Sequence, residues 1–381
     1  MRKATNSGGP EAGSVSAHVA QLDGLRAFAV LCVLIQHGFP DQYVVNRVFP
    51  WGDAGVRLFF VLSGFLITRI LLDCRGRGER EPSARGISLR HFYIRRALRI
   101  LPVYFFVLAT MALLDAPGVR DSWIWLATFT SNFLFASLGS WPGFINHLWT
   151  LAVEEQFYLI WPWVIAFVPR RTLVMVVIAT VVSAPVWRAV SVEMGHNAIA
   201  TSILTISCFD SLGMGALLAI ARHASYGSPM LLDSLRRASL FVGVPLFIVA
   251  VGLHAEGRFA AVQLVIRDLA MALVFTWVVD RACDGFGGWI GRLLAWRPVR
   301  YVGKISYGIY LYHRFLRGFL FILVTEGYLP PPSSYLTRFL RIALGSLIIA
   351  MLSWHLFEAP INRLKRKFPY ERAAGPESEP I

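Results

Sequence analysis

Residues 122–138 read SWIWLATFTSNFLFASL, and whether this stretch crosses a membrane decides how the whole chain is threaded. It is apolar enough to invite that reading. Yet Thr128, Thr130, Ser131, Asn132 and Ser137 interrupt it, and Trp123 and Trp125 stand at its start. Tryptophans so placed suit a membrane interface, and the polar groups suit a re-entrant element enclosed by protein. The question arises because the chain is lipid-like throughout: of 381 residues 56% are hydrophobic and only 16% charged, with a mean hydropathy of +0.55. Soluble domains run near ~45–50% apolar and ~25% charged, so the excess must be buried against something other than one aqueous core. The same numbers exclude a disordered or collagen-like chain.

A hydrocarbon core of ~30 Å needs about 20 residues of helix. Besides 122–138, candidate spans fall near 23–39, 55–73, 98–115, 148–168, 172–190, 201–221, 239–254, 261–280, 305–325 and 339–357. Charge then fixes the count. The chain has 37 Lys+Arg against 23 Asp+Glu, a formal +14, gathered at 75–99, 170–171, 222–237, 281–304 and 363–372, with Arg2 and Lys3. The positive-inside rule asks these connections to share the cytoplasmic side. Were 122–138 to cross, Arg170, Arg171 and every later loop would be inverted. If it does not, 25 of the 37 basic residues lie inside and only Arg47, Arg120, Arg258 and Arg338 fall in outer loops.

The expectation is therefore an all-α polytopic membrane protein of about ten transmembrane helices, with both termini cytoplasmic. Residues 1–20 read as a disordered tail, 21–362 as the membrane domain and 363–381 as a basic, then disordered, tail. The +14 becomes a topology signal, and no nucleic-acid partner is expected. Four cysteines without CxxC or Cys/His spacing suggest neither a disulfide scaffold nor a metal.

Ionisable groups at membrane depth cost at least ~2.5–3.5 kcal/mol each and mark pairs, pathways or sites. The first span, QLDGLRAFAVLCVLIQHGF, carries Arg26 and His37, eleven residues and about 16 Å apart along a helix. His37 reads either as an interfacial residue or as a functional base. In DAGVRLFFVLSGFLITRILL, Ser63 and Gly64 permit close helix approach. HFYIRRALRILP places Arg95, Arg96 and Arg99 where they can hold phosphate or anionic lipid heads. NHLWTLAVEEQFYLIWPW buries Glu154 and Glu155, which serve either to pair with an intramembrane arginine or to orient His37. Asp210, Arg267, Asp268, His313, Arg314, His355 and Glu358 complete the polar set.

These segments, in this order, resemble the membrane acyltransferase 3 family, integral-membrane enzymes that O-acylate bacterial surface and exported carbohydrates. The matching pieces are LDGLRAFAVLCVLIQH, GVRLFFVLSGFLIT, FYIRRALRILP, LWTLAVEEQFYLIWP, YVGKISYGIYLYH and FEAPINR, covering about residues 20–362. The resemblance implies a multi-pass protein of the bacterial cytoplasmic membrane. It implies transfer of an acyl group, acetyl above all, from cytoplasmic acyl-coenzyme A to a hydroxyl of a carbohydrate or similar exported acceptor. By the same carry-over His37, Arg26 and Glu155 or Glu154 are catalytic candidates and Arg95, Arg96 and Arg99 hold the donor's phosphates. Ser63, Trp149 and Tyr158 are candidate substrate contacts, and no metal is implied. Some relatives add a hydrolase-like domain, whereas here RAAGPESEPI follows the last span, so the acceptor is expected to be handled by the membrane domain or delivered by another protein. The competing reading from topology and buried charge is a proton-coupled transporter of a polar or anionic solute.

Overall fold

A computed structural model describes residues 20–81, 84–257 and 259–370, and among them the chain is helical without a strand. The tail expected at 1–20 (apart from Ala20), the end of the C-terminal tail and Arg258 lie outside the described residues. The long helices are numbered here in chain order: α1 (Ala20–Gly38), α2 (Trp51–Arg80), α3 (Ala84–Leu113), α4 (Leu148–Phe167), α5 (Arg170–Glu193), α6 (Phe209–Arg222), α7 (Pro229–Glu256), α8 (Ala260–Asp284), α9 (Ser306–Thr325) and α10 (Tyr335–Ser353). A π-helical turn over Ala238–Gly243 interrupts α7 without ending it.

Seven helical stretches are long and apolar enough to cross a membrane: α2, α5, α7, α8, most of α3, α6 with its preceding turn, and α10 with its continuation. The other three, α1, α4 and α9, have 19, 20 and 20 residues, enough for ~30 Å at 1.5 Å each. They carry Asp23 and Arg26, Glu154 and Glu155, and Arg314 and Arg317 respectively.

Segment 122–138 breaks into Trp123–Ala127 and Ser131–Leu138, five and eight residues, each too short to cross. The break comes at Phe129, whose φ of 54° ends the first helix. Gln156 of α4 ties the segment to the bundle, donating to the Phe129 carbonyl at 2.7 Å and to Asn132 Oδ1 at 2.9 Å.

Lipid is written on the outer faces. On α5, Met175, Ile178, Val182, Val186 and Val190 recur every three or four residues and are all exposed, while Val177, Val181, Ala184 and Arg188 of the same helix are buried. An apolar stripe outward with a charge inward is the reverse of a water-soluble helix, and this is a multi-pass membrane protein.

At the centre, α2 packs on α1, α4, α6 and α8. Its approach to α6 is backbone to backbone: a Cβ on Gly64 would run into the Leu212 carbonyl, and one on Gly215 into that of Val61. The same region holds a fully buried charge network. Arg57 pairs with Asp268 at 2.5 Å, Arg188 with Asp210 at 2.6 Å, and Arg188 Nη1 lies 3.8 Å from Asp268, so α2, α5, α6 and α8 are joined through two arginines and two aspartates.

The basic stretch 75–99 is helix rather than the connection expected from its charge. Both helices run into it, α2 as far as Arg80 and α3 from Ala84. Arginine is a good helix former, and Arg75 pairs with Glu79 one turn on at 3.0 Å, so nothing in the charge stops the helix.

Candidate active site

Two cavities lie along α1. The first, about 740 Å³, is lined by His37, Trp149, Arg57, His147, Arg314 and Tyr310 among others. The second, about 80 Å³, gathers Arg26, Ser63, Arg96, Arg99, Glu154, Glu155 and Tyr158. Val56 of α2 and Tyr310 of α9 line both, so they form the partition. The eleven-residue spacing on α1 puts Arg26 in one cavity and His37 in the other.

His37 ends α1 and meets α9. Its Nδ1 lies 2.9 Å from His313 Nε2, and His313 Nδ1 lies 2.5 Å from the Tyr310 carbonyl oxygen. The carbonyl can only accept, so His313 Nδ1 donates to it. With both rings neutral, His313 Nε2 must then be the acceptor and His37 Nδ1 the donor. That leaves His37 Nε2 as the unprotonated nitrogen. A proton gained there spreads positive charge over the ring, and the Nδ1–H to His313 to carbonyl chain stabilises it. His147, the residue before α4, packs its ring edge-on to His313 with centroids 5.2 Å apart and bonds the Leu311 carbonyl at 3.1 Å. Tyr310, which sits between the cavities, bonds Thr150 Oγ1 at 2.6 Å and donates to the His147 carbonyl at 3.0 Å.

The smaller cavity has its own chain. Tyr158 donates to Ser63 Oγ at 3.0 Å, and Ser63 donates to Glu154 Oε1 at 2.5 Å. Ser63 is thus committed to a carboxylate. Arg96 lies 5.3 Å from the Tyr158 ring centroid, over its face.

Several sequence expectations come together and others separate. Arg26, Arg96, Arg99, Glu154 and Glu155 converge in the smaller cavity with Ser63 and Tyr158, and Trp149 joins His37 in the larger one. The contact expected between a glutamate and His37 is not made: the partner of His37 is His313, and both carboxylates lie on the Arg26 side of the partition. Arg95 also parts from its neighbours. Its guanidinium donates to the carbonyls of Lys365 and Phe368 at 2.9 and 3.1 Å and stacks 4.5 Å from the Tyr370 ring, so the start of the expected C-terminal tail is strapped across α3.

Two participants were not singled out from sequence. His147 sits in the quoted NHLW segment, but a histidine at a helix start carries no distinguishing pattern. Arg57 stands in the quoted DAGVRLFFVLSGFLITRILL segment, where a single arginine near a helix start is not distinctive. In the structure one of its nitrogens holds Asp268, while Nε and Nη1 are buried without a hydrogen-bond partner in a residue that lines the His37 cavity.

Comparison with known proteins gives the family. The family model described as acyltransferase domain matches residues 19–355. The chain belongs to this acyltransferase family. A putative peptidoglycan O-acetyltransferase, YrhL of Bacillus subtilis, is 30% identical over 372 residues, which cover 91% of this chain and 55% of the relative. The peptidoglycan O-acetyltransferase OatA of Listeria monocytogenes is 27% identical over 374 residues, covering 91% and 56%. The O-acetyltransferase OatA of Staphylococcus aureus is 27% identical over 368 residues, covering 90% and 57%. The chain spans about half the length of these curated relatives. No solved structure matches it significantly.

Proposed function

We propose that this acyltransferase carries an acetyl group from acetyl-coenzyme A on the cytoplasmic side to a hydroxyl of a carbohydrate on the far side of a bacterial cytoplasmic membrane. In this reading all ten long helices cross, both termini are cytoplasmic, and the Arg26 cavity faces the donor. The observation that carries it is the pair of cavities back to back across Val56 and Tyr310, one lined by arginines and glutamates and the other by a histidine of fixed tautomer.

Arg96 and Arg99, midway along α3, are placed to take the donor's phosphates while its pantetheine arm enters the bundle. A cavity of about 80 Å³ holds only a few waters, so the arm must widen it on entry. Arg26, Glu154 and the Ser63 hydroxyl lie along that route and position the arm. The acceptor oxygen attacks the thioester carbonyl carbon, and its proton passes to His37 Nε2. The carbon–sulfur bond then breaks, and the proton leaves with the coenzyme A sulfur, which restores neutral His37. Arg57 lines the same cavity with two uncommitted donors and suits the oxyanion that develops on the carbonyl oxygen.

The relatives' names point to a polysaccharide acceptor, which this reading adopts as a class. A transporter would need mobile charges, whereas Arg57, Arg188, Asp210 and Asp268 are locked in mutual pairs. The test is to incubate membranes containing the protein with labelled acetyl-coenzyme A and follow label into the glycan fraction. His37→Ala should lower transfer about 10²–10⁴-fold, the contribution expected of a general base. Full transfer in that variant removes His37 from the chemistry.

A further inference from the structure

The His37 cavity does not end at its arginines. Arg314 and Arg317 of α9 and Arg338 of α10 also line a neighbouring cavity of about 530 Å³, together with Arg341. The rest of that wall is largely apolar: Phe144, Leu320, Phe321, Val324 and Ile342. Phe321 is 65% exposed, with Phe319 and Ile322 beside it also exposed, so where α9 spans the bilayer, as the proposed function has it, the second cavity opens sideways toward lipid. A polar chamber, a belt of shared guanidiniums and an apolar groove therefore follow one another in that order.

The belt is short of negative partners. Among the described residues Arg317 and Arg338 enter no ion pair, Arg341 is held only by the Pro330 carbonyl at 2.8 Å, and Arg314 bonds the Gly143 carbonyl while its Nε is buried without a partner. The carboxylates lining the His37 cavity offset them only in part: Asp53 is paired with Arg267 at 3.0 Å, which leaves Asp41 facing Arg314 and Arg317 as one negative charge against four arginines. Unpaired arginines half-buried beside hydrocarbon are costly unless an anion completes them. A free sugar would leave the groove and the charge unused. An ordinary phospholipid would have no headgroup to fill the chamber.

We propose that the acceptor docks as a saccharide joined through phosphate to a lipid tail, the tail in the apolar groove, the phosphate at Arg317 and Arg338, and the saccharide beside His37. This rests on the acyl-transfer reading of the His37 cavity, and binding and transfer are separable in its test. The full chain in an uncharged detergent is titrated with three probes: N-acetylglucosamine linked through phosphate to farnesol, N-acetylglucosamine 1-phosphate, and dioleoyl phosphatidic acid. The lipid-linked saccharide should bind at least about tenfold more tightly than either other probe. Arg317→Gln with Arg338→Gln should weaken it about 10- to 100-fold, the range for lost charged hydrogen bonds. Val324→Trp, which fills the groove and spares the arginines, should weaken the lipid-linked probe and leave the sugar phosphate unchanged. His37→Ala should still bind the lipid-linked probe more tightly than either other probe, even though transfer is lost. Equal binding of the sugar phosphate makes the belt a simple anion site, equal binding of phosphatidic acid makes the groove a boundary-lipid site, and indifference to Val324→Trp empties it; each overturns the proposal.

Discussion

His37 gains its direction from a residue 276 positions away, His313, whose own orientation is set by a backbone carbonyl. In the proposed mechanism a histidine in this position would do the work that an aspartate does beside catalytic histidines: it selects the tautomer and holds the ring, without bringing a charge into the membrane. The pairing makes a graded prediction. His313→Leu should lower kcat by on the order of 10- to 100-fold with little change in either KM, because the base remains while its tautomer is no longer enforced. His313→Gln, whose amide oxygen can still accept from His37 Nδ1, should recover much of that loss, and equal defects in the two variants would make the role of His313 one of packing. The arginine motif divides in the same way. Arg99→Gln should raise the KM for acetyl-coenzyme A about tenfold, since Arg99 lines the donor cavity, whereas Arg95→Gln should act mainly by freeing the 364–370 strap and so increase protease access to it. Equal KM effects and no change in cleavage would restore Arg95 to the donor site. Arg26, His37, Arg99 and the two glutamates were legible in the sequence because charge inside an apolar helix is conspicuous. The histidine cluster was not, since His37, His147 and His313 stand on separate segments and only tertiary packing brings them together.

Helices α2 and α6 meet where Gly64 and Gly215 each face the other's backbone. The small pair Ser63-Gly64 announced such an approach from the sequence, but not its partner, since Gly215 lies in a run of small residues with nothing to distinguish it. Close backbone contact is a principal source of helix association in lipid, where no hydrophobic drive operates between helices. Gly64→Ala should therefore cost about 1–3 kcal/mol through overpacking. The buried thiols of Cys32, Cys74 and Cys208 give the readout: a thiol-reactive dye should report a lower unfolding temperature in detergent, and an unchanged midpoint would show that the contact yields easily. Element boundaries were less legible than element existence. Charge marked 75–99 as a connection, yet arginine is a good helix former and in α2 Arg75 also has Glu79 one turn on, so helix occupies the described residues at both ends of the basic segment. The opposite happened at 122–138, where polar residues and Phe129 at φ 54° divided an apolar run that hydropathy alone would have threaded through the membrane.

Across the whole molecule, buried charge does two separate jobs. Arg57, Arg188, Asp210 and Asp268 hold α2, α5, α6 and α8 together, and their pairing could be anticipated only as a class, because partners fixed by packing leave no spacing to read. Asp268→Ala would strand the buried guanidinium of Arg57, since Arg188 keeps Asp210, and should cost about 3–5 kcal/mol, lowering the unfolding temperature far more than His37→Ala does; a neutral effect would mean that water or lipid headgroups reach the network. The second job is to line the two cavities, where Arg57 serves as well; in the proposed reading this gives the bundle its polarity, with donor-binding groups at the Arg26 end and the base at the His37 end. That polarity makes sidedness the central claim. Sealed inverted vesicles, which present the cytoplasmic face outward, are given external labelled acetyl-coenzyme A alongside sealed right-side-out vesicles given the same donor, and label is followed into the native envelope glycans of each. The account predicts label in the glycans of the inverted vesicles without permeabilisation and none in the right-side-out vesicles until their membranes are opened; equal labelling from both orientations would contradict it.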